Sequence, residues 1–184
     1  APGDSVLIVP SVPGLQWSPL RTLYGQAIAT ARERIWITNP YFLPGRVIRL
    51  ALETAALRGV DVRLLLPSRS DHPLVSLASH SNYEGLLEAG VQIYEYERGF
   101  VHAKTLVIDE WVGTIGSANM DMRSFELNFE LNAFVFGQEF CEQLASQFRR
   151  DLEDARQVTV EEVRQTGYGT RLKMAGARLL SPLM

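Results

Sequence analysis

Cysteine is almost absent from this 184-residue chain: Cys141 is the single one, so no intrachain disulfide can form. It lies in a helical-looking run and reads as a small packed apolar side chain suited to cytosolic redox conditions. No run of about 18 apolar residues occurs, so no stretch reads as a membrane span. A signal-peptide pattern, an internal repeat and a low-complexity tract are also missing. No cysteine cluster or tight histidine spacing offers a metal site, and His72 and His80 read as surface or capping residues. Positive charge is not in excess. The net charge is -3 and the pI about 5.7, which argues against a general nucleic-acid binder while leaving room for a local basic site. The chain starts at Ala1 without a methionine and reads as an excised or processed segment.

What is present suits one globular domain. Hydrophobic residues make up 46% and charged residues 21%, enough for a core at this length. Ser5 to Pro10 reads as a strand, and Pro10 to Pro19 as a loop. Ser18 caps a helix with Pro19 in its first turn, running to about Arg34. Arg34 to Thr38 is a strand, followed by a loop carrying Tyr41 and Phe42. That aromatic pair reads equally as core packing or as the rim of a site. A helix from Arg46 to Arg58 ends at Gly59, and Val60 to Leu66 is a buried strand in a largely parallel region. Pro67 to Asp71 is a loop at its carboxyl end, where ligands collect in open α/β sheets. A helix from Pro73 to Ala89, interrupted near Ser79 to Asn82, leads to a strand at Val91 to Tyr96.

The densest chemistry lies between Gly99 and Glu130. Val101 to Ile108 and Trp111 to Ile115 read as a hairpin around Asp109, then a glycine turn, a short helix at Asp121 to Phe125, and a strand at Leu127 to Phe136. His102 and Lys104 are two apart, so on a strand they share a face. Histidine can act as nucleophile or general acid near neutral pH, and lysine can hold a phosphate oxygen. Strict alternation puts Asn128, Glu130 and Asn132 on a polar cleft face, and Leu127, Phe129 and Leu131 on the core face. Gln138 to Leu152 is an amphipathic helix with Phe140, Leu144, Phe148 and Leu152 in one stripe. Residues 158–184 form a helical tail on the one domain, 1–184. Its last charges, Arg171, Lys173 and Arg178, interleave with apolar residues. The tail either packs on protein or touches anionic headgroups.

The run His102-x-Lys104-x4-Asp109-x6-Gly116-Ser117-x-Asn119 closely resembles the signature of the phospholipase D superfamily. The resemblance implies that His102 forms a phosphohistidine or protonates the leaving group. It implies that Lys104 and Asn119, with Ser117, bind phosphate oxygens, that Glu130 orients the histidine, and that Asp109 braces the structure. Asn39 to Pro44, Arg58 to His72, Ala89 to Tyr96, Gly116 to Glu130 and the terminal RLLSPLM resemble the second half of a bacterial cardiolipin synthase.

The implied fold is α/β: a single phospholipase D-like half, with a mixed, mostly parallel sheet flanked by helices on both faces. The family carries two such motifs per polypeptide and this chain carries one, so the implied partner is a missing N-terminal half or a second copy. The implied substrate is phosphatidylglycerol at a membrane surface, with no metal, no cofactor and no nucleic acid. The implied location is the cytoplasmic side of the cell membrane, peripheral or tethered by upstream helices. Two rivals remain: a homodimeric phosphodiesterase such as a nuclease, and a non-catalytic half that binds lipid or a partner.

Overall fold

Alternation of strand and helix in the first half of the chain gives way to consecutive strands in the second. That change determines the sheet. The computed structural model describes residues 4–14 and 17–180. In order they form β1 (Ser5–Ser11), α1 (Pro19–Thr30), β2 (Arg34–Thr38), β3 (Phe42–Leu43), α2 (Gly45–Leu57), β4 (Asp61–Pro67), α3 (Pro73–His80), α4 (Tyr83–Glu88) and β5 (Gln92–Tyr96). Then come β6 (Thr105–Ile108), β7 (Val112–Gly116), β8 (Met120–Asp121), α5 (Met122–Glu126), β9 (Glu130–Phe136), α6 (Gln138–Leu152), β10 (Ala155–Val158), α7 (Val160–Arg164) and α8 (Tyr168–Leu180). Residues 181–184, which end the family-like RLLSPLM stretch, lie outside the described residues, as does the Arg178 side chain of the basic tail.

Eight strands form one mixed sheet in the order β1-β9-β7-β6-β2-β4-β5-β10, and β3 pairs with β8 beside it. An α/β half with helices on both faces is what the sequence led us to expect, but the sheet is not mostly parallel. Only β2–β4 and β4–β5 run parallel within it; every other neighbouring pair is antiparallel. Parallel neighbours need a crossover, and here α2 and the α3–α4 pair supply the crossovers within the sheet. β10 adds an antiparallel edge strand beside β5, just ahead of the tail helices α7 and α8.

Local chemistry sets several boundaries. Ser18 accepts the Arg21 N–H at 3.2 Å and starts α1. The helix stops at Thr30, short of Arg34, because the next amides are taken elsewhere: Asp109 accepts from the N–H groups of Arg32, Glu33 and Arg34. The expected long helix after Pro73 is two helices. The side chains of Ser81 and Asn82 both donate to the Ala78 carbonyl at the break.

One sheet face carries Ile35, Ile37, Leu64, Ile93, Leu106 and Phe134 against α1, α2 and α4 in a continuous core. On the other face Trp36, Leu65 and Val107 pack under Cys141, Ala145 and Phe148 of α6. The Trp36 and Phe148 rings stack at 5.2 Å, and the Trp36 indole donates to Asp61 at 2.9 Å. Burial pushes the Cys141 thiol pKa up, consistent with a packed, unreactive side chain.

His80 is not a surface cap. Its ring stacks on Tyr83 at 4.6 Å, Nδ1 lies 2.7 Å from the Ser76 carbonyl, and Nε2 lies 3.1 Å from the Glu95 carboxylate. Arg156 holds the other Glu95 oxygen at 2.8 Å, so the cluster ties α3, β5 and β10 together. Burial opposes charge on His80, but Glu95 and the Ser76 carbonyl outweigh it and hold its pKa above the usual value. Burial likewise opposes charge on Glu95, but His80 and Arg156 hold its pKa below the usual value.

The histidine therefore adds stability below its unfolded value near 6.5 and loses it as pH rises through the raised folded value. The carboxylate adds stability above 4.5 and loses it as pH falls through the lowered one. Thermal melts from about pH 6 to about pH 8.5 should show a falling melting temperature in the wild type as the histidine loses its proton. His80→Gln should flatten that slope; an unchanged slope would remove the pair from the stability account.

Candidate active site

The residues singled out by their spacing gather where β6 begins and β7 ends, and Asp109 is the exception. Ladder pairing of β6 starts at Thr105, so His102 and Lys104 stand on its extended lead-in and not within a strand. The Lys104 ammonium turns back to donate to the His102 carbonyl at 2.9 Å. Partial burial lowers the Lys104 pKa, with the charges of Glu130 and Asp121 pulling it back up. His102 is exposed. Its ring stacks on Phe100 at 5.5 Å and meets the edge of Tyr41 at 6.3 Å. The Tyr41 hydroxyl donates to Asp71 at 2.7 Å, and its pKa is pushed up to about 12, first by burial and then by that carboxylate. Tyr41 thus belongs to the rim, while its neighbour Phe42 is core at 1% exposure.

The turn from Gly116 to Asn119 is fixed by hydrogen bonds. The Ser117 hydroxyl donates to Glu130 at 2.5 Å and accepts the Leu131 N–H at 3.0 Å. The Asn119 N–H donates to Ser124 at 3.0 Å, and Asp121 caps α5 by accepting from Ser124 N–H at 2.7 Å. The Asn119 side-chain oxygen is buried with no hydrogen-bond partner among the described residues. Asn119 also borders a hollow of about 480 Å³ walled by Tyr41, His72, Asp121, Arg123 and Asn128. A buried amide oxygen without a partner costs about 1–3 kcal/mol. A ligand donor, or the amide turned to present its N–H₂, would relieve it.

Two expected placements differ. Glu130 is held by Ser117 and by Asn128 at 3.3 Å, and the His102 ring makes no hydrogen bond to it or to any other described residue. Asp109 follows the last residue of β6, about 16 Å of strand from Lys104. Its φ of 51° is the left-handed conformation that aspartate tolerates. Its carboxylate serves the amides that open β2 and takes no part in the His102 cluster.

The alternation around β9 holds only in part: Asn128 and Glu130 lie at the site as expected, but their neighbours differ. Asn132, expected in the polar cleft, is fully buried, whereas Leu131 and Phe129 are 53% and 78% exposed. Asn132 is buried because α1 covers its face. Its oxygen accepts the Ala118 N–H at 3.2 Å and its amide donates to Tyr24 at 2.9 Å. Tyr24 in turn lies 3.1 Å from the Thr114 hydroxyl. Asn39 does similar work, accepting from the N–H groups of Tyr41 and Met120. The sequence showed these two asparagines only as polar residues in apolar runs, a signal for a buried amide that it did not separate from a cleft.

A family profile described as "Cardiolipin synthase, PLD-like domain" matches residues 24–152. The chain belongs to that family. It is 45% identical over 179 residues to cardiolipin synthase 2 of Bacillus anthracis, covering 97% of this chain and 35% of that protein. Cardiolipin synthase of Geobacillus kaustophilus is 44% identical with 36% of its length covered. The chain therefore spans about a third of these relatives.

Among solved structures, the phospholipase D family member Nuc from Salmonella typhimurium superposes with a TM-score of 0.71 at 21% identity, over 85% of this chain and 99% of Nuc. Phosphatidylserine synthase from Haemophilus influenzae gives 0.78 at 12% identity, over 97% of this chain and 48% of that one. At these identities the likeness is one of fold. No described helix of this domain is long and apolar enough to cross a membrane.

The turn has no room for a side chain at Gly116, where a Cβ would lie 2.4 Å from both the Asn132 side chain and the Leu131 carbonyl. Gly116→Ala should cost roughly 1–3 kcal/mol in urea unfolding. Gly99→Ala, whose Cβ would meet open space, should be near neutral. Equal midpoints for the two variants would mean that the turn is not held as described.

Proposed function

We propose that this domain is one catalytic half of a cardiolipin synthase and carries out phosphatidyl transfer. The observation that carries the reading is the exposed His102, whose ring is unbonded among the described residues, beside Lys104 and the Asn119 side chain, whose buried oxygen has no partner among them. The sequence relatives at 44–45% identity support the choice of reaction.

A phosphodiester anion repels nucleophiles, and a covalent intermediate divides the difficulty into two displacements. In the first, an imidazole nitrogen attacks the phosphorus of one phosphatidylglycerol. The P–N bond forms, the P–O bond to glycerol breaks, and glycerol leaves with a proton from an acid on the opposite side. In the second, a hydroxyl of another phosphatidylglycerol attacks that phosphorus and returns its proton to the group that protonated glycerol. The P–N bond breaks and cardiolipin forms. Lys104 and Asn119, with Ser117, meet the charge on the equatorial oxygens. Glu130 keeps Ser117 in place and acts on the charge of Lys104.

One histidine cannot stand on both sides of an in-line displacement, so His102 is either the nucleophile or the acid and a second histidine supplies the other role. It comes from an N-terminal half or a second copy of this chain. A sheet surface is available for such a partner. Ile8 and Ile115 flank Ala133 across three strands, and with Val6, Leu131 and Phe129 they leave an uncovered apolar face beside the site. The curated relatives' threefold greater length leaves ample chain to cover it.

The test is incubation of this chain, alone at rising concentration and then with the upstream half, with phosphatidylglycerol vesicles, reading cardiolipin by mass spectrometry. His102→Ala should lower the rate at least about 10³-fold. Lys104→Met or Asn119→Ala should each cost about 10²–10³-fold. Asp109→Ala should lower the melting temperature while leaving the rate per folded molecule within a few-fold. Synthesis that persists with His102→Ala would sink the proposal.

A further inference from the structure

We propose that the outer edge of α2, together with the groove it makes against α1, is the face by which this domain rests on an anionic phospholipid bilayer. Val47, Leu50 and Leu57 lie along one side of α2 at helical spacing, with Thr54 between them, and are 61%, 56% and 74% exposed. An apolar stripe of this kind on the outside of a helix layer is unusual. Its opposite side, Ile48, Leu52 and Ala55, already fills the core. Gly25 and Ala29 on α1 keep the neighbouring helix low and open a groove of about 430 Å³.

Charge decides the occupant. Arg46 and Arg58 line the groove and no acidic residue does, although the chain as a whole carries a net charge of -3. Arg58 is spent on the carbonyls of Ala29 and Ala31, whereas Arg46 is exposed and has no carboxylate partner among the described residues. Nearby, Glu53 is paired with Arg49 at 2.7 Å. An apolar stripe with a cationic rim suits seating at the headgroup boundary, with side chains reaching about 5–10 Å into the acyl region.

Position links this face to the chemistry. A second hollow, of about 460 Å³, shares Arg46 and Leu50 with the groove and shares Leu43 with the hollow at Asn119. The three hollows therefore adjoin in series from the Asn119 side to the stripe, and the one carboxylate of the middle hollow, Glu53, is paired with Arg49. A two-tailed lipid could keep its chains in the bilayer while its phosphodiester reaches the site. The apolar sheet face assigned to the partner half lies on the α6 side of the sheet, so both surfaces can be occupied at once. This inference rests on the phospholipid reading of the site.

Flotation of this chain with vesicles of phosphatidylcholine, with and without phosphatidylglycerol, tests it apart from turnover. Binding should require phosphatidylglycerol and weaken with salt. Leu50→Glu should reduce it about tenfold or more and Arg46→Ala about fivefold, while Phe129→Ser leaves it unchanged. If Leu50→Glu alters the urea midpoint, the double variant Val47→Ser with Leu57→Ser carries the same test. Absence of vesicle binding would overturn the proposal, and so would loss of binding with Phe129→Ser but not with the α2 variants. An α2 variant that blocks association with the upstream half while still binding vesicles would also overturn it, and mark the face as a protein interface. Phosphatidyl transfer in detergent-dispersed phosphatidylglycerol reads the chemistry separately. Its absence from the wild type with both halves present would sink the functional reading, and vesicle binding would still judge the face.

Discussion

A single buried amide, that of Asn132, holds the site end of this domain together. Its oxygen takes the Ala118 N–H and its nitrogen gives to Tyr24, which reaches Thr114, so one side chain joins α1, β7, β9 and the turn before Asn119. Every member is buried. Loss of the amide would orphan the buried Ala118 N–H, at about 1–3 kcal/mol, and take one of the two partners of Tyr24. Burial also pushes the Tyr24 pKa up to about 12 despite its hydrogen bonds to Thr114 and Asn132, so the phenol remains a neutral donor and acceptor at physiological pH. Because the amide fits against Gly116 with no room for a Cβ, the path of the turn that delivers Ser117 and Asn119 has little freedom.

The spacing of the signature follows from the same architecture. Four residues of β6 separate Lys104 from Asp109, and they are what is needed to cross the sheet from the edge that holds His102 to the edge where β2 begins. Asp109 bonds three successive amides there and fixes the start of β2. That strand pairs directly with β6. A motif that reads as one catalytic string is therefore two pieces, a chemical end and a bracing end, joined by a strand of set length.

Much of this was legible in the sequence. The caps of α1, the glycine after α2, the buried run of β4 and the fixed motif positions all depend on local chemistry, which short windows record. What depended on distant packing was not legible. Alternation along β9 separated its two faces but could not say which face α1 would cover, so Asn132 and Leu131 were assigned the wrong way round. The number of parallel pairs followed from how many crossovers returned to the sheet, a topological fact. His80 looked like a surface residue because Glu95 and Arg156 reach it only across the fold. The rim residues Asp71 and Phe100 stood in a loop and in the dense stretch, but with no side-chain partner legible; Asp71 meets Tyr41 across the fold, and Phe100 stacks on His102.

The site divides its residues into the held and the free. Ser117 and Asn119 stand on a turn pinned by backbone bonds and a buried amide, and Lys104 is tied to the chain at His102. Groups that meet charge on phosphate oxygens work best when they need no rearrangement as that charge moves. His102 is different: aromatic neighbours flank its ring, and neither nitrogen is committed to a hydrogen bond among the described residues. If His102 is the nucleophile of the proposed transfer, its ring needs an unoccupied nitrogen and an orienting partner on the other. Glu130 is engaged with Ser117 and Asn128 and does not fill that place in the lone half. On the proposed reading, the groups that would hold phosphate are preset on a pinned turn of this domain, while the ring that would react is left without an orienting partner among the described residues.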